Sequence, residues 1–396
     1  MKKYVLVTGG QLFNKGAQAM TFITADEIAK RYPDKEVVLL SNKDYRRSEE
    51  EKQQYTFRIM PYPKTLHLIL MQSKLGRLFF KLFGGKADKD FIQLVQDGAG
   101  LIDISGYALG SNWGYKKTLF YLTRLGIAHS VKMPVYLMPQ SFGPLDYKGI
   151  WAPMIQRMLK KKLRYAEVIM CREQEGYELL KDKYQLDNLV LTPDLVLQNI
   201  GVDAKNVYRQ APAMEGIMIP SGSVAIIPNG KTLQYGNPEQ LFEMYRQVIE
   251  SLQQKGKQVF LIYHSAEDLP ICQDIKSKYF KESDKVALIG TELSCLEFDE
   301  LVTKFDFIIA SRFHAVVHAY RNGIPAVVPG WAVKYQELLD LFEQGEFMFD
   351  VRGQIQADKI VAAVHIMCEK HELFSRQIQD GLQEIRKKNV YDYLKL

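Results

Sequence analysis

Ser311-Arg312-Phe313-His314-Ala315 puts a permanently charged guanidinium and a titratable imidazole two residues apart. The apolar run Phe305-Asp306-Phe307-Ile308-Ile309-Ala310 precedes them, and Val316-Val317-His318-Ala319-Tyr320 continues with helical apolar spacing. That order predicts a buried strand delivering the pair to the first turn of a helix, whose free N–H groups favour an anion. Arg312 can grip a carboxylate or phosphate bidentately, and His314 can give or take a proton near neutral pH. The segment therefore predicts a site for a phosphorylated or carboxylated substrate. The bland alternatives are a salt-bridged surface arginine and a hydrogen-bonded core histidine. His314 and His318 also have H-x-x-x-H spacing, but Ala315 stands where H-E-x-x-H needs glutamate and no third ligand is apparent. The sequence thus predicts no metal and a packing role for His318.

Two further cations join this reading. Arg172 follows the apolar run at 168–171 and is a second candidate for anion binding, the alternative being a surface ion pair with Glu173 or Glu175. Lys334 lies at an expected helix start, where a cation is unfavourable, which suggests it serves the same cleft; the alternative is a solvated lysine. Two glycine-rich segments near the N-terminus suit a sugar. Thr8-Gly9-Gly10 leads to Asn14-Lys15-Gly16, which can hold a phosphate or sugar or be a plain glycine turn, and it is neither G-x-G-x-x-G nor a Walker A sequence. Gln96-Asp97-Gly98-Ala99-Gly100-Leu101-Ile102-Asp103, continuing to Ser111-Asn112-Trp113-Gly114, offers Asp97, Asp103 and Asn112 to hydroxyls and Trp113 to an apolar sugar face. Its alternative is a mobile surface loop. Pro139-Gln140-Ser141-Phe142-Gly143-Pro144 reads as a rigid loop over the cleft or a structural turn.

The elements that must position these groups follow from length and pattern. With 396 residues, 47% apolar and 25% charged, the chain can build two ordinary cores. Strand-length apolar runs at 4–8, 36–40, 91–96, 135–138, 168–171 and 189–191 alternate with helical periods over 16–31, 117–129, 153–165 and 174–183. The second half repeats the plan, with strands at 223–227, 258–263, 286–289, 307–310 and 326–328 and helices near 238–255, 269–279, 298–303, 315–322 and 335–342. The class is α/β, with parallel sheets covered by helices on both faces. We expect an N-terminal domain over 1–200, a Pro- and Gly-rich linker over 201–222, a C-terminal domain over 223–375, and a helix over 376–396 packing back on the first domain. Ligands of such sheets bind at the carboxyl ends of the strands, in the cleft between the domains.

Charge and cysteine usage narrow the partners. The net charge of +6 is modest, and neither a zinc-finger spacing nor a strongly basic domain suggests nucleic acid. Arg157, Lys160, Lys161, Lys162 and Arg164 gather on one expected helix, either as a solvated face or as a contact for an anionic membrane surface. The stretch 66–83 is apolar-rich but holds Lys74, Arg77 and Lys81, so any membrane association is expected to be peripheral. Cys171, Cys272, Cys295 and Cys368 are widely spaced and suggest neither zinc nor a disulfide framework, which fits a reducing compartment. The N-terminus reads as a first strand instead of a signal peptide, and a cytoplasmic location, extending to the inner face of the membrane, is expected.

These motifs, taken in order, resemble the polysaccharide pyruvyl transferase family. The resemblance runs through Asn14-Lys15-Gly16, Asp97-Gly98-Ala99-Gly100, Pro139-Gln140-Ser141-Phe142-Gly143-Pro144, Cys171-Arg172-Glu173, Thr192-Pro193-Asp194, Ser311-Arg312-Phe313-His314-Ala315, and Gly323-Ile324-Pro325 with Lys334-Tyr335. It implies two Rossmann-like domains in a GT-B-like arrangement. It also implies transfer of the carbon skeleton of phosphoenolpyruvate, the donor substrate, to hydroxyls of a sugar, a polysaccharide repeat unit or a lipid-linked saccharide as a cyclic ketal, without a cofactor. By position, Arg172 and Arg312 would hold phosphoenolpyruvate, Lys334 would assist, and His314 would move a proton. The N-terminal loops, with Asn14, Lys15, Asp97, Asp103, Asn112 and Trp113, would face the acceptor. Ala17 stands where the family commonly has an acidic residue and Ala99 where another glycine is common, so the resemblance speaks more to the donor than to the acceptor. A nucleotide-sugar glycosyltransferase of the same architecture and a catalytically silent glycan-binding protein are the competing readings.

Overall fold

The apolar runs become two parallel sheets in the computed structural model, which describes residues 3–211 and 216–396. The first holds β1 (Tyr4–Thr8), β2 (Glu36–Leu40), β3 (Arg58–Met60), β4 (Gly98–Asp103), β5 (Val135–Gln140), β6 (Val168–Cys171) and β7 (Leu189–Leu191), in the spatial order β3-β2-β1-β4-β5-β6-β7. The second holds β8 (Val224–Ile227), β9 (Val259–Ile262), β10 (Val286–Ile289), β11 (Phe307–Ala310), β12 (Ala326–Gly330) and β13 (Met348–Asp350), in the order β10-β9-β8-β11-β12-β13. Both are α/β sheets covered by helices on either face, and each reverses its strand order beside its first strand. That reversal opens a crevice at the carboxyl ends of β1 and β4 and of β8 and β11.

One strand lies elsewhere than its apolar run suggests. Residues 91–96 belong to the helix Lys86–Gln96, because Phe91, Ile92, Leu94 and Val95 fall on one buried helical face while Gln93 and Gln96 stay exposed. The strand is the glycine-rich stretch that follows, and all six residues of β4 are buried. Its small residues answer to close packing: a Cβ on Gly100 would lie 2.3 Å from Leu396 Cδ2. Residues 98–103 of the expected ligand loop are therefore the middle of a sheet. The edge strands β3 and β13, three residues each, were not legible in the pattern.

The chain leaves the first sheet after β7 and crosses through the short helix Leu195–Gln198 toward β8. Part of the expected linker, 212–215, lies outside the described residues. At the C-terminus, the helix Ala357–Ile385 is continuous for 29 residues, so the expected boundary at 375/376 falls inside it. The tail beyond it docks on the first domain. Tyr391 shares a 2.7 Å hydrogen bond with Thr24, and Tyr136 Oη donates to Lys395 O at 2.9 Å while accepting from Lys395 N at 3.0 Å. Buried apolar side chains run without a break from one face of the first sheet into the second domain.

Candidate functional site

β11 ends beside β8 at Ala310, and Ser311 turns the chain into the helix Phe313–Arg321. The turn is fixed through the Ser311 carbonyl, which accepts from Asn229 Nδ2 at 3.0 Å and Tyr335 Oη at 2.9 Å. Arg312 occupies the N-cap with extended backbone, and its side chain folds back onto the turn Ala266–Asp268 that follows β9. Its Nε and Nη2 donate to the two oxygens of Asp268, each at 2.7 Å, and Nη2 also donates to Glu267. Asp268 is fully buried and also accepts from Gly230 N at 2.8 Å and Ser265 N at 3.2 Å. The Arg312 fork thus meets two carboxylates in this structure, and its guanidinium pins the start of the helix.

Two residues later the same turn sends His314 into the cleft. It meets the start of the helix Lys15–Arg31 so closely that a Cβ on Gly16 would lie 2.2 Å from His314 Cγ and 2.4 Å from Nδ1. Only glycine admits the imidazole there. His314 Nε2 lies 3.9 Å from Asp194 Oδ2, and that nitrogen is buried without a hydrogen-bond partner. Burial pushes the imidazole down to about 3; the Asp194 carboxylate opposes this, while Arg172 and Lys334 add to it. His314 is therefore neutral at pH 7.

Arg172, at the end of β6, completes the cluster from the other domain. Its Nη1 donates to Asp194 Oδ2 at 2.7 Å, its Nε to Glu173 at 3.3 Å, and its Nη2 to Ser141 Oγ. Burial alone would raise the Asp194 carboxyl, but Arg172 and His314 outweigh it and hold the group below its ordinary range. The Arg172 guanidinium stacks 4.8 Å from the Phe313 ring centroid, and Lys334 Nζ lies 4.7 Å from the same ring. Burial first, then Arg172, lower Lys334 to about 8. Arg172, Asp194, Phe313 and Lys334 line an interdomain cavity of about 470 Å³. The cations expected to act together are thus divided: Arg172, Lys334 and His314 converge, while Arg312 turns away.

Asp194, Ser141 and Phe313 are the members that sequence reasoning did not assign to the site. Thr192-Pro193-Asp194 carried a signal, since an aspartate after a strand and proline is a helix cap, and its Oδ1 does accept from Val196 N at 2.9 Å. Nothing in the sequence says that its other oxygen reaches Arg172.

The six expected acceptor residues do not assemble. Asn14 Oδ1 caps its helix, accepting from Gly16 N at 3.1 Å and Ala17 N at 3.3 Å. Lys15 is buried between the domains, its Nζ donating to His264 O at 3.2 Å and lying 4.9 Å from the Tyr263 ring centroid. Asp97 sits at the amino end of β4, roughly 20 Å along the strand from the cleft side. Asp103 is at the cleft end but has no exposed surface; its Oδ1 accepts from Ser105 N at 3.0 Å, and its Oδ2 lies 3.7 Å from Arg124. Asn14 thus serves as a cap, Lys15 and Asp103 are buried, Asp103 Oδ2 without a hydrogen-bond partner, and Asp97 lies far from the cleft side. Asn112 and Trp113 remain available on the turn Ser111–Trp113, where Trp113 packs against Tyr107 at 5.3 Å and Lys117 lies over its ring. Among the described residues, no group of three His, Cys, Asp or Glu side chains is arranged to hold a metal ion.

The sequence profile of the polysaccharide pyruvyl transferase family matches residues 14–331, which include every residue of this cluster except Lys334. The chain belongs to this family. No curated protein sequence compared with it matches. Similar solved structures include a putative UDP-N-acetylglucosamine 2-epimerase from Listeria monocytogenes, at TM-score 0.58 and 12% identity, covering 96% of this chain and 91% of that one. A UDP-GlcNAc 2-epimerase from Methanocaldococcus jannaschii gives TM-score 0.58 and 12% identity, with 93% of each chain covered. Anabaena HepE in complex with UDP and glucose gives TM-score 0.54 and 11% identity, with 97% of each covered. At such identities these likenesses show the fold alone: two α/β domains in the GT-B arrangement.

Proposed function

We propose that this member of the family transfers a pyruvyl group from phosphoenolpyruvate to two hydroxyls of a sugar in a glycan or glycan precursor, forming a cyclic ketal. The observation that carries the reading is the interdomain cavity lined by Arg172, Asp194 and Lys334, with the buried His314 Nε2 behind that lining, 3.9 Å from Asp194 Oδ2. Arg172 and Lys334 are the cations of a lining that also holds Glu173, Asp194, Glu337 and Asp340, and they are the groups that would meet the phosphate and carboxylate of a compact donor. Protonation of the donor's methylene carbon leaves an oxocarbenium-like centre at the adjacent carbon, which the first hydroxyl attacks. The carbon–oxygen bond to phosphate breaks and the second hydroxyl closes the ring. One hydroxyl proton is balanced by the new methyl group and the other leaves with phosphate, so the reaction needs neither a metal nor an oxidant.

Neutral His314 is poised to accept a proton from an attacking hydroxyl, and Asp194 would stabilise the resulting imidazolium. An anionic donor beside Arg172 and Lys334 would offset those two cations and raise the imidazole's basicity, while burial, the largest cause, continues to lower it. Arg312 is a positioning residue in this reading, acting through the helix start it pins. Asn112 and Trp113 are the remaining candidates for acceptor contact.

The test is a thermal-shift comparison of phosphoenolpyruvate with nucleotide sugars, because a ligand that binds the native state raises the melting temperature. Stabilisation by phosphoenolpyruvate is expected. Stabilisation by UDP-glucose and not by phosphoenolpyruvate would replace this reading with a nucleotide-sugar glycosyltransferase.

A further inference from the structure

One helical layer of the N-terminal domain, away from the interdomain cavity, is apolar where it meets solvent. The helix Lys74–Phe83 contains Leu75, Leu78, Phe79, Phe80, Leu82 and Phe83, and Phe80 alone is buried. Leu75 is 80% exposed, Phe83 75% and Leu82 60%. The preceding helix Thr65–Met71 adds exposed Leu66 and Leu70. Singly scattered apolar side chains are ordinary on a surface, but neighbouring turns of two adjacent helices form a patch that water alone does not explain.

The charges on these segments are cationic, although Asp88 of the adjoining helix Lys86–Gln96 pairs with His67 Nδ1 at 2.9 Å. Residues 64–86 hold five Lys or Arg and residues 148–164 hold six, and neither segment contains an Asp or Glu, in a chain with 46 acidic residues. The two segments meet in space: Lys162 Nζ donates to Gln72 Oε1 at 3.2 Å. Arg77 ties the apolar helix to the same layer, donating to Ser130 Oγ at 2.8 Å and Met71 O at 2.7 Å. Beside Ser130 lies a concavity of about 440 Å³ lined by His129, Arg157, Lys160, Lys161, Arg164 and Tyr165, without a carboxylate. At the start of the helix Ala152–Leu163, Ile150 and Trp151 are also exposed, at 86% and 58%.

We propose that this layer docks on an anionic phospholipid bilayer, with the Lys74–Phe83 helix lying at the headgroup–acyl boundary and lipid phosphates entering the cationic concavity. The combination of apolar side chains with a predominantly cationic border is what such a surface recognises. A second copy of this chain fits poorly, because a two-fold contact would press one cationic border against another. No helix among the described residues is long and apolar enough to cross a membrane, so the attachment is interfacial.

Co-sedimentation of the full chain with vesicles tests this, comparing phosphatidylcholine alone with an equimolar mixture of phosphatidylcholine and phosphatidylglycerol. Binding to the anionic vesicles alone is expected, weakening with salt. The pair Leu75→Ser and Phe83→Ser, and separately the pair Lys160→Gln and Lys161→Gln, should each weaken it about tenfold without moving the melting temperature. The proposal is overturned if the native chain stays in solution with anionic vesicles at low salt. It is equally overturned if the apolar pair sediments like the native chain and inorganic phosphate displaces both, which marks a phosphate site only. A native dimer that dissociates on Leu75→Ser with Phe83→Ser and ignores vesicles would assign the patch to self-association.

Discussion

At the reversal point of the N-terminal sheet, Thr8 and Asp103 end adjacent strands and the polar side chains there pair in part among themselves, with Asp103 Oδ2, Ser105 Oγ and Arg124 Nε buried without a hydrogen-bond partner. Arg124 and Tyr62 donate to Thr8 Oγ1, Gln140 Nε2 donates to Asp103 Oδ1 at 3.4 Å, and Thr8, Asp103 and Gln140 have no exposed surface. At the matching point of the C-terminal sheet, Asp268 and Glu267 immobilise Arg312, and the helix that begins there aims His314 at Gly16 and Asp194. Two corners of one topology thus use their charges in opposite ways. In the first they close a core, and in the second they fix a helix start so that a neutral imidazole faces the cleft. Topology says where a ligand can bind, and counter-ions decide which of two equivalent corners is free to receive one.

The largest effect should come from Arg172, which ties the cavity to Asp194 and Glu173. Arg172→Ala leaves both carboxylates uncompensated and should cost about 3–5 kcal/mol in urea unfolding, with turnover lost. His314→Ala should lower kcat by about 10²–10⁴ while the Kd for phosphoenolpyruvate stays within about threefold. Full turnover in that variant would break the assignment of the C-terminal corner to proton transfer. Gly16→Ala places a methyl group against the imidazole, and the displacement should cost about 10²-fold in kcat with little change in donor affinity.

The sealed corner should respond differently. Asp103→Asn should cost about 1–3 kcal/mol of stability, since it removes the charge facing Arg124, and leave kcat/KM within about twofold. A collapse of turnover with unchanged stability would show that this corner meets the acceptor after all. The smallest effect near neutrality concerns acid. Because His314 sits at about 3 when folded and near 6.5 when unfolded, the unfolded chain takes up its proton first. Its contribution is present above roughly pH 6.5 and is lost as pH falls toward 3. Burial lowers His264 as well, so His314→Ala should flatten the acid limb of a stability-versus-pH curve without abolishing it.

The pattern of apolar residues located β10, β11 and the helix Leu269–Tyr279 to the residue, because each is bounded by polar or turn residues and buries a clear face. It failed around Lys86–Gln96, where four apolar residues in six satisfy a strand and a helix alike. Burial in the centre of a sheet then made Gly98-Ala99-Gly100 a strand despite poor intrinsic preference. Within the site, Arg172 and His314 were legible as chemistry at strand ends. Their convergence on Asp194 was not, since 142 positions of sequence separate the two partners it joins.

By itself, the sequence determined the α/β class, the two-sheet plan and the residue types able to bind an anion and move a proton, because periodicity and side-chain chemistry are local properties. Only the tertiary structure decided which carboxylates each cation meets, Asp194 and Glu173 for Arg172 and Asp268 and Glu267 for Arg312. It also decided that Gly16 must yield to an imidazole from the other domain, and that Asp97 and Asp103 lie at opposite ends of one buried strand. Those outcomes depend on distances between residues far apart in the chain, and counter-ion pairing and burial are set by such distances.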